Sequence, residues 1–208
     1  MADFSWNTQS PLERALVPGR HGAAGGPAGV TLEEVRDVSL VQVMARRGRT
    51  AETARAAKAV FGIEPPAAPG VATGPNATLI WSGPDQFIAF SARSAEDQFA
   101  RLAEAFAGVA SLSDQSDGRC LIRIGGLGVR RALAKFCSLD LDDVVFPAGA
   151  AATTSIDHTA FNIWREADKD GHAVFSMLVF TSFADSLWHT VLDSSLEYGV
   201  QASVARAG

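Results

Sequence analysis

Two stretches of this chain carry similar successions of strands and helices, complete as strand–helix–strand–strand–helix–strand in the first and echoed in the second, and that repetition constrains the fold more than any motif does. In the first, Val38 to Met44 reads as a strand. Thr50 to about Phe61 reads as a helix capped by Thr50, with Glu52 in its first turn beside the positive end of the helix dipole. Pro65-Pro66 and Pro69-Gly70 make a loop. Ala77 to Trp81 and Gln86 to Phe90 flank Gly83-Pro84-Asp85, the signature of a hairpin. Ser94 is expected to cap a helix whose Phe99, Leu102 and Phe106 share one face, and Val109 to Ser113 is the fourth strand. This is the split-βαβ order.

The second stretch echoes the first. Cys120 to Ile124 is a strand and Val129 to Phe136 a helix. Thr153 to Asp157 and Ala160 to Arg165 are strands around Asp157-His158, and Ala173 to Phe180 is another. Thr181 or Ser182 is expected to cap a last helix that carries Phe183, Leu187, Val191 and Leu192 and ends at Tyr198-Gly199. Two ferredoxin-like halves with mainly antiparallel sheets predict an α+β fold. The expected division is a flexible arm over 1–29 and one α+β domain over 30–208, its halves being about 30–115 and 116–208. The arm is punctuated by Pro18-Gly19 and Gly25-Gly26-Pro27. Phe4, Trp6 and Leu16 within it are apolar anchors, so the arm is expected either to lie across a partner's surface or to be a disordered tail.

Composition narrows the function. Apolar residues make up 47% and charged residues 20%, enough for a sizeable core. A net charge of −5 argues against general nucleic-acid or anionic-membrane binding, and no apolar run is long enough to span a bilayer. The N-terminal residues lack a signal-peptide pattern, and the two cysteines fit a reducing compartment, so a cytoplasmic protein is expected. Cys120 and Cys137 read as buried free thiols.

Gly125-Gly126-Leu127-Gly128 invites a nucleotide-binding reading that fails on inspection. In a dinucleotide fingerprint Gly126 and Gly128 could serve as the first two glycines. Arg131 stands where the third is needed for close helix–strand packing, and Phe146-Pro147-Ala148-Gly149 stands where an acidic strand end should be. The turn is expected to be a tight strand-to-helix connection in which glycine supplies positive φ.

Other chemistry is equally thin. His21, His158, His172 and His189 show no metal-ligand spacing. No nucleophile elbow is present, and neither cysteine lies in a catalytic signature. Asp114-Gln115-Ser116-Asp117-Gly118 resembles a calcium loop only in composition and is expected to be a polar hairpin turn. Arg119, Arg123, Arg130 and Arg131 are the densest basic cluster, open to an anion, a partner carboxylate or solvent. Trp81 and Trp164 occupy corresponding strands of the two halves.

Taken in order, several segments resemble the gamma subunit family of heterotetrameric sarcosine oxidase. They are Trp81 to Phe87, Leu112 to Ser116, Gly125 to Leu133, Phe146 to Gly149, and Phe180 to Trp188. The resemblance runs from Ser10-Pro11-Leu12 to Glu197-Tyr198-Gly199, and it rests on order and spacing over nearly the whole chain. It implies a fold related to the folate-binding domains of glycine-cleavage aminomethyltransferase. It also implies a cytoplasmic bacterial complex with alpha, beta and delta subunits that oxidatively demethylates sarcosine to glycine. Oxygen is reduced to hydrogen peroxide, and the one-carbon unit passes to tetrahydrofolate or leaves as formaldehyde. FAD, FMN, NAD and tetrahydrofolate are implied on partner subunits, and a metal on the smallest. No catalytic, cofactor-binding or metal-binding residue is implied on this chain. The alternative is a free-standing folate-binding or aminomethyl-transfer protein. It would need a buried carboxylate for the pterin edge, with Asp114, Asp117 and Asp157 as the acids near strand ends.

Overall fold

A computed structural model describes residues 9–94, 98–156 and 159–207. The chain is a mixed α+β protein built on two sheets, with one parallel strand pair among otherwise antiparallel ones. The first repeat comprises β3 (Val38–Ala45), α1 (Thr50–Phe61), β4 (Val71–Thr73), β5 (Thr78–Gly83), β6 (Gln86–Ala92), α2 (Gln98–Ala105) and β7 (Ala110–Asp114). The second comprises β8 (Arg119–Gly125), α3 (Val129–Leu133), β9 (Ala151–Ile156), β10 (Thr159–Arg165), β11 (Val174–Phe180), α4 (Thr181–Ser195) and β12 (Val200–Arg206). Two strands precede both repeats, β1 (Gly19–His21) and β2 (Val30–Arg36).

The five-stranded sheet runs β4-β5-β6-β3-β7, which is the split-βαβ order with β4 added at the edge. The seven-stranded sheet runs β1-β12-β2-β8-β11-β10-β9. It repeats that order with β9 at the edge, but β2 is wedged between β8 and β12. It pairs antiparallel to β8 and parallel to β12. The strand that opens the first half by sequence therefore belongs to the sheet of the second.

Strand alternation sorts the side chains into layers. On β8, Cys120, Ile122 and Ile124 face α3 and α4, whereas Leu121 faces the other sheet. On β3, Val41 and Val43 face α1 and α2, whereas Val38 and Leu40 face inward. The order of layers is helix, sheet, sheet, helix. The inter-sheet core joins Leu40, Ile80 and Ile88 to Leu121, Trp164 and Leu178. Trp81 on β5 and Trp164 on β10 do occupy equivalent strands of the two repeats.

Some local expectations need correction. Thr50 is the first residue of α1 and not its cap. Arg49 precedes the helix without a side-chain cap, and the Thr50 hydroxyl donates instead to Asp85 across the β5–β6 turn (3.1 Å). Neither Thr181 nor Ser182 caps α4, whose preceding residue is the extended Phe180. The first turn before α2, and with it the expected Ser94 cap, meets residues outside those described, as does Asp157-His158. The segment 114–118 is not a hairpin turn, because β7 and β8 lie in different sheets and it carries the chain between them.

Part of the segment read as an arm is tied down. Leu12 is fully buried and Leu16 nearly so, both in the core under α3 and α4. Gly19–His21 pairs with β12. Among the described residues no helix is long and apolar enough to cross a membrane.

Candidate functional site

The glycine turn is filled by the chain itself. Gly126 has φ +109, and a Cβ there would stand 2.6 Å from the Gly29 carbonyl oxygen. A Cβ on Gly128 would stand 3.0 Å from Tyr198. The amides that might cradle a phosphate are engaged: Gly126 N–H donates to Ala173 O (3.2 Å) and Gly128 N–H to Gly29 O (2.8 Å). These glycines let β2 and Tyr198 approach the turn, which is the structural role expected of them.

The four arginines do not converge. Arg123 lies on the same face of β8 as Leu121, partly exposed and bonded to Glu166 (3.1 Å) with Glu33 at 3.9 Å. Arg130 donates to Leu141 O (2.8 Å) and pairs with Asp143, holding the 141–143 loop. Arg131 is exposed over the Tyr198 ring. Arg119 stacks its guanidinium 3.6 Å above the Phe180 ring and reaches Gln115 Oε1 at 3.4 Å. It has no carboxylate within ion-pair distance among the described residues, and burial pulls its pKa down from the ordinary value.

The histidines are scattered too. His21 contacts Val17 O, His172 sits in the β10–β11 turn, and His189 lies beside Asp185 on α4. No grouping of three or more metal-ligating side chains occurs among the described residues. Burial pushes the Cys120 thiol up to about 12, with Glu34 adding to it, and burial raises Cys137 as well. Neither is disposed to be a nucleophile at neutral pH.

Sequence reading passed over a large concavity. A cleft of about 850 Å³ opens where the chain crosses between the sheets, at Asp37 and at 115–118. Glu34, Arg36, Arg93, Asp117, Arg119 and Arg206 are on its walls. Glu34 is only 3% exposed. Ser10 Oγ donates to one of its oxygens (2.5 Å) and Arg36 Nε to the other (2.8 Å). Each oxygen so accepts a bond from the chain itself, and both keep a further lone pair. Asp117 is paired with Arg93 (2.7 Å), Asp114 accepts from Ser116 N–H (2.9 Å), and Asp157 lies outside the described residues. No sequence signal marked Glu34, because its burial follows from β2 crossing into the second sheet.

A family model, sarcosine oxidase gamma subunit family, matches residues 47–197. The chain belongs to the sarcosine oxidase gamma subunit family. Over 192 residues it is 26% identical to sarcosine oxidase subunit gamma from Corynebacterium sp. (strain P-1), covering 91% of each chain. It is also similar to a chain of the heterotetrameric sarcosine oxidase from Corynebacterium sp. U-96 in complex with pyrrole 2-carboxylate. The TM-score is 0.75 at 26% identity, over 92% of this chain and 96% of that one. The glycine cleavage system aminomethyltransferase T from Bartonella henselae shares the fold, with a TM-score of 0.60 at 14% identity. That match spans 85% of this gamma-family chain and 48% of the aminomethyltransferase.

Proposed function

We propose that this chain is a non-catalytic gamma subunit of a cytoplasmic heterotetrameric sarcosine oxidase, assembled with alpha, beta and delta subunits. The complex would convert sarcosine, oxygen and water to glycine, formaldehyde and hydrogen peroxide, or hand the one-carbon unit to tetrahydrofolate. FAD, FMN, NAD and tetrahydrofolate would sit on the partner chains. The observation that carries the reading is the near end-to-end likeness to one chain of a heterotetrameric sarcosine oxidase. The packed glycine turn and the raised thiols support a role without chemistry of its own. Purification of the tagged chain from its host grown on sarcosine tests this. Co-purifying flavin absorbance and sarcosine-dependent peroxide are expected, with neither in the isolated chain. A chain that purifies alone, colourless, and binds tetrahydrofolate would establish the folate-protein alternative instead.

A further inference from the structure

The cleft at the sheet crossovers holds a charge unmatched among the described residues. Three of its arginines are neutralised: Arg36 by Glu34 (2.7 Å), Arg93 by Asp117 (2.7 Å) and Arg206 by Asp37 (2.8 Å). Arg119 is the remaining cation on the wall, half-buried and without a carboxylate among the described residues. A guanidinium taken partly out of water without a counter-charge is a cost that a partner can remove. Its stacking on Phe180 fixes the planar donor fork, which loses little further freedom on pairing with a carboxylate. Thr181, the first residue of the uncapped α4, lies on the same wall, so the positive end of that helix dipole adds to the field. Val35, Val38, Leu121 and Val204 give the cleft an apolar component, and Val204 is 40% exposed.

We propose that this cleft is a docking site for a segment of a partner subunit that carries a carboxylate for Arg119 and an apolar side chain for Val204. This rests on the subunit reading above. Charge complementarity selects the occupant: an acidic segment meets Arg119, which has no carboxylate among the described residues, whereas a basic one would face four arginines against three acids. A cleft of about 850 Å³ bounded by loops from both sheets suits an extended polypeptide.

The test is assembly of the tagged chain with co-expressed partner subunits, followed by titration at low and high salt. Wild type should capture flavin-bearing partners. Arg119→Gln should weaken capture at least tenfold and flatten its salt dependence, whereas Arg131→Gln, outside the cleft, should assemble as wild type does. Should Arg119→Gln lower the melting temperature, Val204→Asp is read instead. It leaves the Arg119–Phe180 stack untouched and sets a negative charge in the docking path, so it too should weaken capture at least tenfold. Wild type that captures no partner overturns the subunit reading. Wild type that captures partners while a folded Arg119→Gln, or Val204→Asp, captures them equally well overturns the docking site alone.

Discussion

Gly126 shows how a single missing side chain holds two strands together. At φ +109, with the Gly29 carbonyl 2.6 Å from where a Cβ would be, Gly126→Ala meets both strain and a clash. It should lower the unfolding free energy by about 1–3 kcal/mol, read from urea melts. Arg165 is nearly as confined, at 3% exposure, donating to Glu166 O and Val174 O and lying over the Phe175 ring. Its acidic partners Asp143 and Asp168 are exposed and can rehydrate, so Arg165→Met loses the hydrogen bonds without stranding a buried charge. A cost of about 1–3 kcal/mol is expected by the same measurement. Cys120 makes a pH prediction. Its folded pKa, about 12, lies above that of a free thiol. The contribution to stability is therefore complete below the unfolded value of about 8.5 and is lost as pH rises toward 12. The urea midpoint should fall between pH 8 and pH 10.5 in wild type and fall less in Cys120→Ala. Parallel declines would contradict the assignment.

At the scale of elements, β2 and the segment before it matter most. Leu12 at 0% exposure packs among residues of β2, β8, α3 and α4, although it belongs to no helix or strand. Leu12→Ala should destabilise the chain by about 2–5 kcal/mol, a loss visible as a lower urea midpoint. A change within experimental error would show that the segment is not part of the core. The helix starts teach a related lesson. Thr50, Thr181 and Ser182 are good capping types, yet none caps, because the turns at Arg49 and Phe180 start the helices at Thr50 and Thr181 and so place all three residues inside them. Local preference yielded to the geometry of the connection.

At the scale of the whole molecule, the two repeats are interlocked. β2 lies in the second sheet and leads directly into β3 of the first, and the inter-sheet core draws on both. The repeats should therefore unfold as one unit. Variants retaining only Trp81, in the first sheet, or only Trp164, in the second, should report superimposable urea transitions by fluorescence. Separate midpoints would mean two independent folding units. Capture of partners through the cleft belongs to this scale as well, since its walls come from both sheets and from the crossings between them.

By itself the sequence determined most of the strand–helix order, though not β2 or β12, together with the mixed α+β class, the β5–β6 hairpin and the family. Apolar period and turn chemistry are local signals that survive in one dimension. Phe99, Leu102 and Phe106 pack together as their spacing requires, and Gly126 turns as its neighbours require. The edge strands Gly19–His21 and Val71–Thr73 are only three residues long, too short for a period to emerge. The wedging of β2 between β8 and β12, the burial of Glu34 and Leu12, and the half-buried setting of Arg119 were decided by tertiary structure alone. Each depends on pairing or packing between residues far apart in the chain, and no local pattern records which distant strand or counter-charge a residue will meet.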